Sequence, residues 1–365
     1  MQSARLDPSS VSQLMRTLIM FQNILKLMRI CIGLIGKTIA AATNNFSPSN
    51  KIGIGEFSSV YKCILSTGQE VAVKRSILKH QRVLAELKNE VLLISKLQHP
   101  NVIKLLGYCC HQEEIILVYE FMENKSLDAH IFDESRRREL GWTIRMKIII
   151  SIARCLVYLH QDSGLRICHR YVTPSSILLD YEMKPKISSF GLARSFEEHQ
   201  TIQTETSTLI VGAIVGYASP EYLMHGVLSL KSDVFSFGVV VLEILIGRKI
   251  NGPFQLLDDQ PFPLLGLEHA WKMWNEGKAL DLLDKSIEDE FSADKALSCI
   301  QVGLLCVQER ADDRPTMRSV LDMLEGEGVK LPQPKRPAFV SESGSEYSHT
   351  DSKNELSLQI RTYEL

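Results

Sequence analysis

Residues Ile167–Gly191 read I-C-H-R-Y-V-T-P-S-S-I-L-L-D-Y-E-M-K-P-K-I-S-S-F-G. A short polar loop opens the stretch, a strand pair follows, and S-S-F-G closes it. The loop offers a His–Arg pair, a phenol at Tyr171 and hydroxyls at Thr173, Ser175 and Ser176. The closing turn adds Ser188 and Ser189, and the carboxylates of the stretch, Asp180 and Glu182, fall in the strand pair. A phenol is a poor base at neutral pH, and magnesium prefers hard anionic oxygens in an octahedral array. The loop therefore has the polar density of a site without a good base or a metal-gripping anion.

The surrounding chain has 365 residues, 45% of them apolar, which suits one domain of about 280 residues plus end segments. A net charge of -2 argues against nucleic acid as a partner. The eight cysteines show no paired spacing, which predicts reduced thiols rather than a disulfide framework. Cys109 and Cys110 have no His/Cys cluster beside them and read as core-strand residues, not metal ligands.

Upstream, residues 1–40 stand apart. Leu18–Ile35 is mostly apolar, and Gln22, Lys26, Arg29 and Gly33 recur every three or four residues, a narrow polar stripe on a helix. Lys26 and Arg29 interrupt the roughly 20 apolar residues that a bilayer span requires. An interfacial helix touching the membrane through residues 16–37, a domain-packed segment and a disordered one all remain open. The run lacks a clear small-residue cleavage site for a signal peptide.

From Ala41 the chain gives A-T-N-N-F-S and K-I-G-I-G-E-F-S-S-V-Y-K. Gly53 and Gly55 would let backbone N–H groups approach phosphates. V-A-V-K then ends at Lys74, and Glu90 lies in a helix-periodic run. I-I-L-V-Y-E-F-M-E-N-K-S-L-D reads as a buried strand leaving into a polar linker. W-T-I-R-M-K-I-I-I-S-I-A-R-C-L-V-Y-L-H, without Gly or Pro, reads as a buried helix. The run Glu197–Thr208 is rich in hydroxyls, with Thr201, Thr204, Thr206, Ser207 and Thr208. Phosphorylation could order it against an arginine. Beyond Glu325 the Ser/Glu-rich end reads as a disordered tail, 326–365.

Taken in order, these phrases resemble a protein kinase. With A-T-N-N-F-S, E-N-K-S-L-D, K-S-D-V-F-S-F-G, H-A-W-K-M-W-N-E-G and C-I-Q-V-G-L-L-C-V-Q-E, they resemble the cytosolic part of plant receptor-like kinases of the S-domain (G-type lectin) or cysteine-rich group. The resemblance covers residues 41–325. It implies an α+β, two-lobed fold, with a small β-sheet lobe and one helix at about 45–123 and a large helical lobe at about 124–325. It implies a nucleotide site of Ile52, Gly53, Gly55, Val60, Ala72, Lys74, Glu90, Glu120, Met122 and Leu178, with Tyr119 as gatekeeper. It also implies an ion pair between Glu221 and Arg314, and Asp233 as the anchor of the catalytic loop.

Against the family pattern, the catalytic positions are degenerate. Tyr171 stands for the base Asp, Thr173 for a Lys, Ser176 for a metal-binding Asn and Ser189 for the metal-binding Asp, while Ile214 replaces a Thr. The expected protein is a pseudokinase that binds ATP weakly and without needing magnesium and docks to a protein partner such as an active receptor-like kinase. It would be cytoplasmic, with attachment at the plasma membrane left open by residues 16–37. The alternative is a serine/threonine kinase with residual activity, in which Asp180 or Glu182 supplies a ligand for magnesium.

Overall fold

The computed structural model describes residues 39–338 apart from 56, 78–80, 112–113, 197–201, 205–215, 251–264, 288–290 and 327–330. The expectations for residues 16–37 and for Ile214 therefore fall outside the described residues, as does most of Glu197–Thr208.

Five antiparallel strands build the small lobe: β1 Lys51–Gly55, β2 Ser58–Ile64, β3 Glu70–Ile77, β4 Leu105–His111 and β5 Glu114–Glu120. They pair in the order β1-β2-β3-β5-β4. Period-two alternation along β3 turns Val71 and Val73 to the outer face, where Ile39, Cys63, Cys109, Ile116 and Val118 close a small core. Helix α1, Gln81–Ile94, lies between β3 and β4 in the chain and sends Val83, Leu87, Leu93 and Ile94 into the main core.

The large lobe is mainly helical, and the α+β, two-lobed expectation holds. Its centre is α2, Trp142–Val157, and α3, Leu230–Ile246. Helix α3 is buried on every face from Ser232 to Ile246, and its residues are accordingly mostly apolar. Ser229 and Ser232 cap its start reciprocally. Helix α4, Ala293–Cys306, crosses α3 closely: a Cβ on Gly238 would lie 2.5 Å from the Cys306 Cβ. Glycine is needed there for the approach itself. Helix α5, Met317–Glu325, and the short hairpin of β6, Ile177–Leu179, and β7, Pro185–Ile187, complete the frame around the loop.

Two boundaries differ from the sequence reading. Ile39 is buried on the small-lobe sheet, so packing starts inside the segment set apart as 1–40. Downstream, Ala338 N donates to the Val307 carbonyl and Gln301 Nε2 to the Pro332 carbonyl, and Leu331 and Ala338 are buried. Residues 331–338 are therefore packed against α4 rather than part of a disordered tail. Two apolar anchors and backbone pairing outweigh the polar composition that suggested disorder.

Arg314, fully buried, holds Glu221 by two bonds of 2.8 Å and lies 5.1 Å from the Phe235 ring centroid. Burial pushes the Glu221 carboxyl up, but the bonds and charge of Arg314 prevail and hold it below the usual carboxylate range. Removing one partner of such a pair strands a buried charge. Glu221→Ala should cost about 3 kcal/mol in urea unfolding. Arg318→Ala, which breaks an exposed pair with Asp162, should cost no more than about 0.5 kcal/mol.

Candidate functional site

The loop that opens the decisive stretch is held from below. Asp233, fully buried in the first turn of α3, accepts from His169 N at 2.7 Å and His160 Nε2 at 2.9 Å through Oδ2, and from Arg170 N at 2.8 Å through Oδ1. His160 reaches it from a π-helical turn, Tyr158–Asp162, that follows α2. Burial alone would raise the Asp233 carboxyl, yet the donors, His160 foremost, hold it below the usual range.

His169 carries the constraint onward. Burial lowers its pKa, which favours a neutral ring. Its Nε2–H donates to the Ser188 carbonyl at 2.9 Å and its Nδ1 accepts from Tyr171 N at 3.3 Å. The Phe190 ring, fully buried, meets the imidazole edge-on at 4.7 Å. From α1, Asn89 Nδ2 lies within 3.2 Å of the carbonyls of Phe190, Gly191 and Ala193.

The next residue of α1, Glu90, is buried between two donors. Lys74 Nζ meets Oε2 at 3.0 Å and the Tyr119 hydroxyl donates to Oε1 at 2.9 Å. Burial, reinforced by the Glu90 charge, drives the Tyr119 phenol well above its ordinary pKa, so it stays a donor. Above this pair, Ala72, Met122 and Leu178 share the main apolar cluster, and Val60 lies opposite Lys74 across β2 and β3. Ile52, Gly53 and Gly55 sit in β1, where a Cβ on Gly55 would stand 2.7 Å from the Ser58 hydroxyl. The Glu120 carboxylate accepts from Lys104 N and pairs with Lys186 at 2.6 Å.

At the positions that the sequence reading singled out as degenerate, the side chains are engaged with the protein itself. Thr173 caps a one-turn 3-10 helix, Pro174–Ser176: its hydroxyl accepts from Ser176 N, and Ser176 Oγ accepts from Thr173 N at 3.1 Å. The Ser176 hydroxyl proton goes to the Thr173 carbonyl at 2.9 Å. Both side chains are buried. Tyr171 leans on a cluster that contains Ala218 and Tyr222. Ser189 has φ 69° and ψ 52°, a left-handed conformation that Asp and Asn tolerate better than most residues. Asp180 Oδ1 accepts from Glu182 N and Lys184 N, and Glu182 pairs with Lys184, so both carboxylates serve the β6–β7 turn.

A family model for protein tyrosine and serine/threonine kinases matches residues 46–324. The chain belongs to that kinase family. It is 46% identical over 320 residues to "Cysteine-rich receptor-like protein kinase 41" of Arabidopsis thaliana, covering 87% of this chain and 47% of that protein. It is 49% identical over 307 residues to the same plant's "Receptor-like serine/threonine-protein kinase SD1-7", covering 83% and 36%. With "G-type lectin S-receptor-like serine/threonine-protein kinase RKS1" it shares 50% over 305 residues, again 83% and 36%. This kinase chain thus spans less than half the length of these relatives. Among the described residues no helix is long and apolar enough to cross a membrane.

Membership in the kinase family implies ATP and, as a rule, magnesium. Chemically, Ser176 and Ser189 do not fit the ion, because neither is anionic and the Ser176 hydroxyl is already bonded. Among the described residues no group of three His, Cys, Asp or Glu side chains is placed to hold a metal.

Sequence reasoning missed the Tyr119–Glu90 bond, the Asn89 clasp and the Thr173–Ser176 cap. The last had a signal, since Thr followed by Pro is a helix-start pattern. The other two join residues far apart in the chain. Tyr119→Phe leaves Glu90 one donor short and should lower stability by about 1–2 kcal/mol in urea unfolding. The Asp233 carboxylate stabilises fully above its unfolded pKa, and this contribution fades as pH falls through its depressed folded value. Asp233→Asn should cost about 3 kcal/mol at neutral pH and flatten the fall in urea midpoint between about pH 5 and 3.

Proposed function

We propose that this receptor-like kinase domain has lost most phosphoryl-transfer capacity and works as a nucleotide-binding or protein-docking signalling module. The reading rests on one observation above all: the hydroxyls of Thr173 and Ser176 are bonded to each other's backbone, so they cap a turn where the family places a cation and a metal ligand. Tyr171 supports it by packing against the apolar cluster that holds Ala218 and Tyr222. Loss of a general base alone slows transfer by about 10²–10⁴, and the missing metal ligands remove charge neutralisation as well. These losses act on one unit and are not additive.

Lys74, held by Glu90, and the apolar residues Ala72, Met122 and Leu178 leave a slot for adenine and a cation for phosphate. Weak ATP binding that gains little from magnesium follows from that combination. The protein partner is an active receptor-like kinase or its substrate, by analogy with the relatives. A second reading, residual serine/threonine kinase activity, is favoured by the assembled Lys74–Glu90 pair and by Phe190 seated beneath α1, which is how a competent member holds these parts.

Radiolabelled autophosphorylation separates the two readings. We expect incorporation no higher than that of Lys74→Met; clear Lys74-dependent labelling would favour the second. In thermal unfolding, ATP should raise the midpoint slightly and equally with and without magnesium. A large magnesium-dependent rise would count against the proposal. The variant carrying Tyr171→Asp, Thr173→Lys, Ser176→Asn and Ser189→Asp should bind ATP more tightly once magnesium is added.

A further inference from the structure

The outer face of the small-lobe sheet carries an open groove of about 330 Å³, lined by Ile54, Phe57, Ser59, Tyr61, Arg75 and Ile77 among others. Ile54 is 80% exposed, Ile77 45% and Phe57 37%. Three partly exposed apolar side chains around one groove mark a contact surface more often than a lone exposed one does. Alternation along β3 puts Arg75 and Ile77 on the face of Val71 and Val73, opposite Lys74. The groove therefore opens on the face away from Lys74, and it meets the expected nucleotide site at its edge, where Gly55 lines it. Its charged liner, Arg75, is held by Glu114 at 2.6 and 2.8 Å and stands 4.3 Å from the Phe46 ring centroid. With that charge matched, the groove suits an apolar occupant, not an anion.

The same chain holds an apolar surface in need of cover. Leu18–Ile35 is apolar except for Asn23 and the stripe of Gln22, Lys26, Arg29 and Gly33. The chain that follows it already lies on this face: Ile39 is buried against Val71 and Val73, and the Phe46 ring meets Tyr61 edge-on at 5.4 Å. The groove begins where that cover ends. As a helix, residues 18–35 would be about 27 Å long, close to the roughly 26 Å length of β3.

We propose that residues 18–35 of this chain are the occupant of the groove, an intramolecular cover that continues the packing begun by Ile39 and Phe46. Lys26 and Arg29 then face solvent, and the apolar flank of the segment meets Ile54, Phe57 and Ile77. The assignment is independent of whether the domain transfers phosphate.

The test uses the full chain with the photo-crosslinker benzoylphenylalanine in place of Phe57, and separately in place of Ile54 should the first substitution disturb folding. Irradiation should give crosslinks within one chain that map to residues 18–35, falling about tenfold in a Leu25→Asp, Ile32→Asp background. Crosslinks confined to other segments, crosslinks between differently tagged copies, or crosslinks indifferent to the aspartates would overturn the assignment. So would a chain that floats with phosphatidylserine vesicles yet gives no such crosslink in their absence, since the segment would then belong to a membrane.

Discussion

A carboxylate sealed from water is tolerable only when donors surround it, and Asp233 has three of them: two consecutive backbone amides and an imidazole. That requirement fixes His169 and Arg170 over the start of α3 and lets Arg170 adopt a positive φ of 68°. Through the His169 ring the same constraint reaches Ser188 and Phe190. Asn89 then ties the turn at Phe190 to α1, and Glu90 ties α1 to Lys74 on β3. One buried anion in the large lobe thus organises a chain of contacts that ends in the small-lobe sheet.

The frame and the chemistry of the site obey different rules. Frame residues are bonded to backbone or fill apolar volume, so their replacement is felt as instability. Chemical residues need charge at a chosen point, and that is what Tyr171, Thr173, Ser176 and Ser189 do not supply. Each replacement found in the described structure is stable on its own terms, through apolar packing for Tyr171 and hydroxyl bonding for Thr173 and Ser176. Ser189 holds a left-handed backbone that Asn and Asp adopt more readily than most residues.

Much of this was legible in the sequence because the signals were local. The helix-periodic run at Glu90, the apolar strand I-I-L-V-Y-E, the long helix from Trp142 without Gly or Pro and the ordered series of family phrases gave the two lobes and their contents. The contacts that sequence reading missed are of another kind. Tyr119 and Glu90 are 29 positions apart and Asn89 and Gly191 are 102, so no periodicity announces them. The end at 331–338 misled by composition, because Pro, Gln, Lys and Arg make up six of its eight residues, while the buried Leu331 and Ala338 and one backbone bond decide its position.

The cap formed by Thr173 and Ser176 bears on which exchanges the loop tolerates. Once the two hydroxyls support each other, replacing either alone uncaps the turn before any ion can be recruited to compensate. Neighbouring changes of this sort are coupled, not independent. The two positions therefore exchange at least cost together, and either single exchange carries a stability penalty of its own.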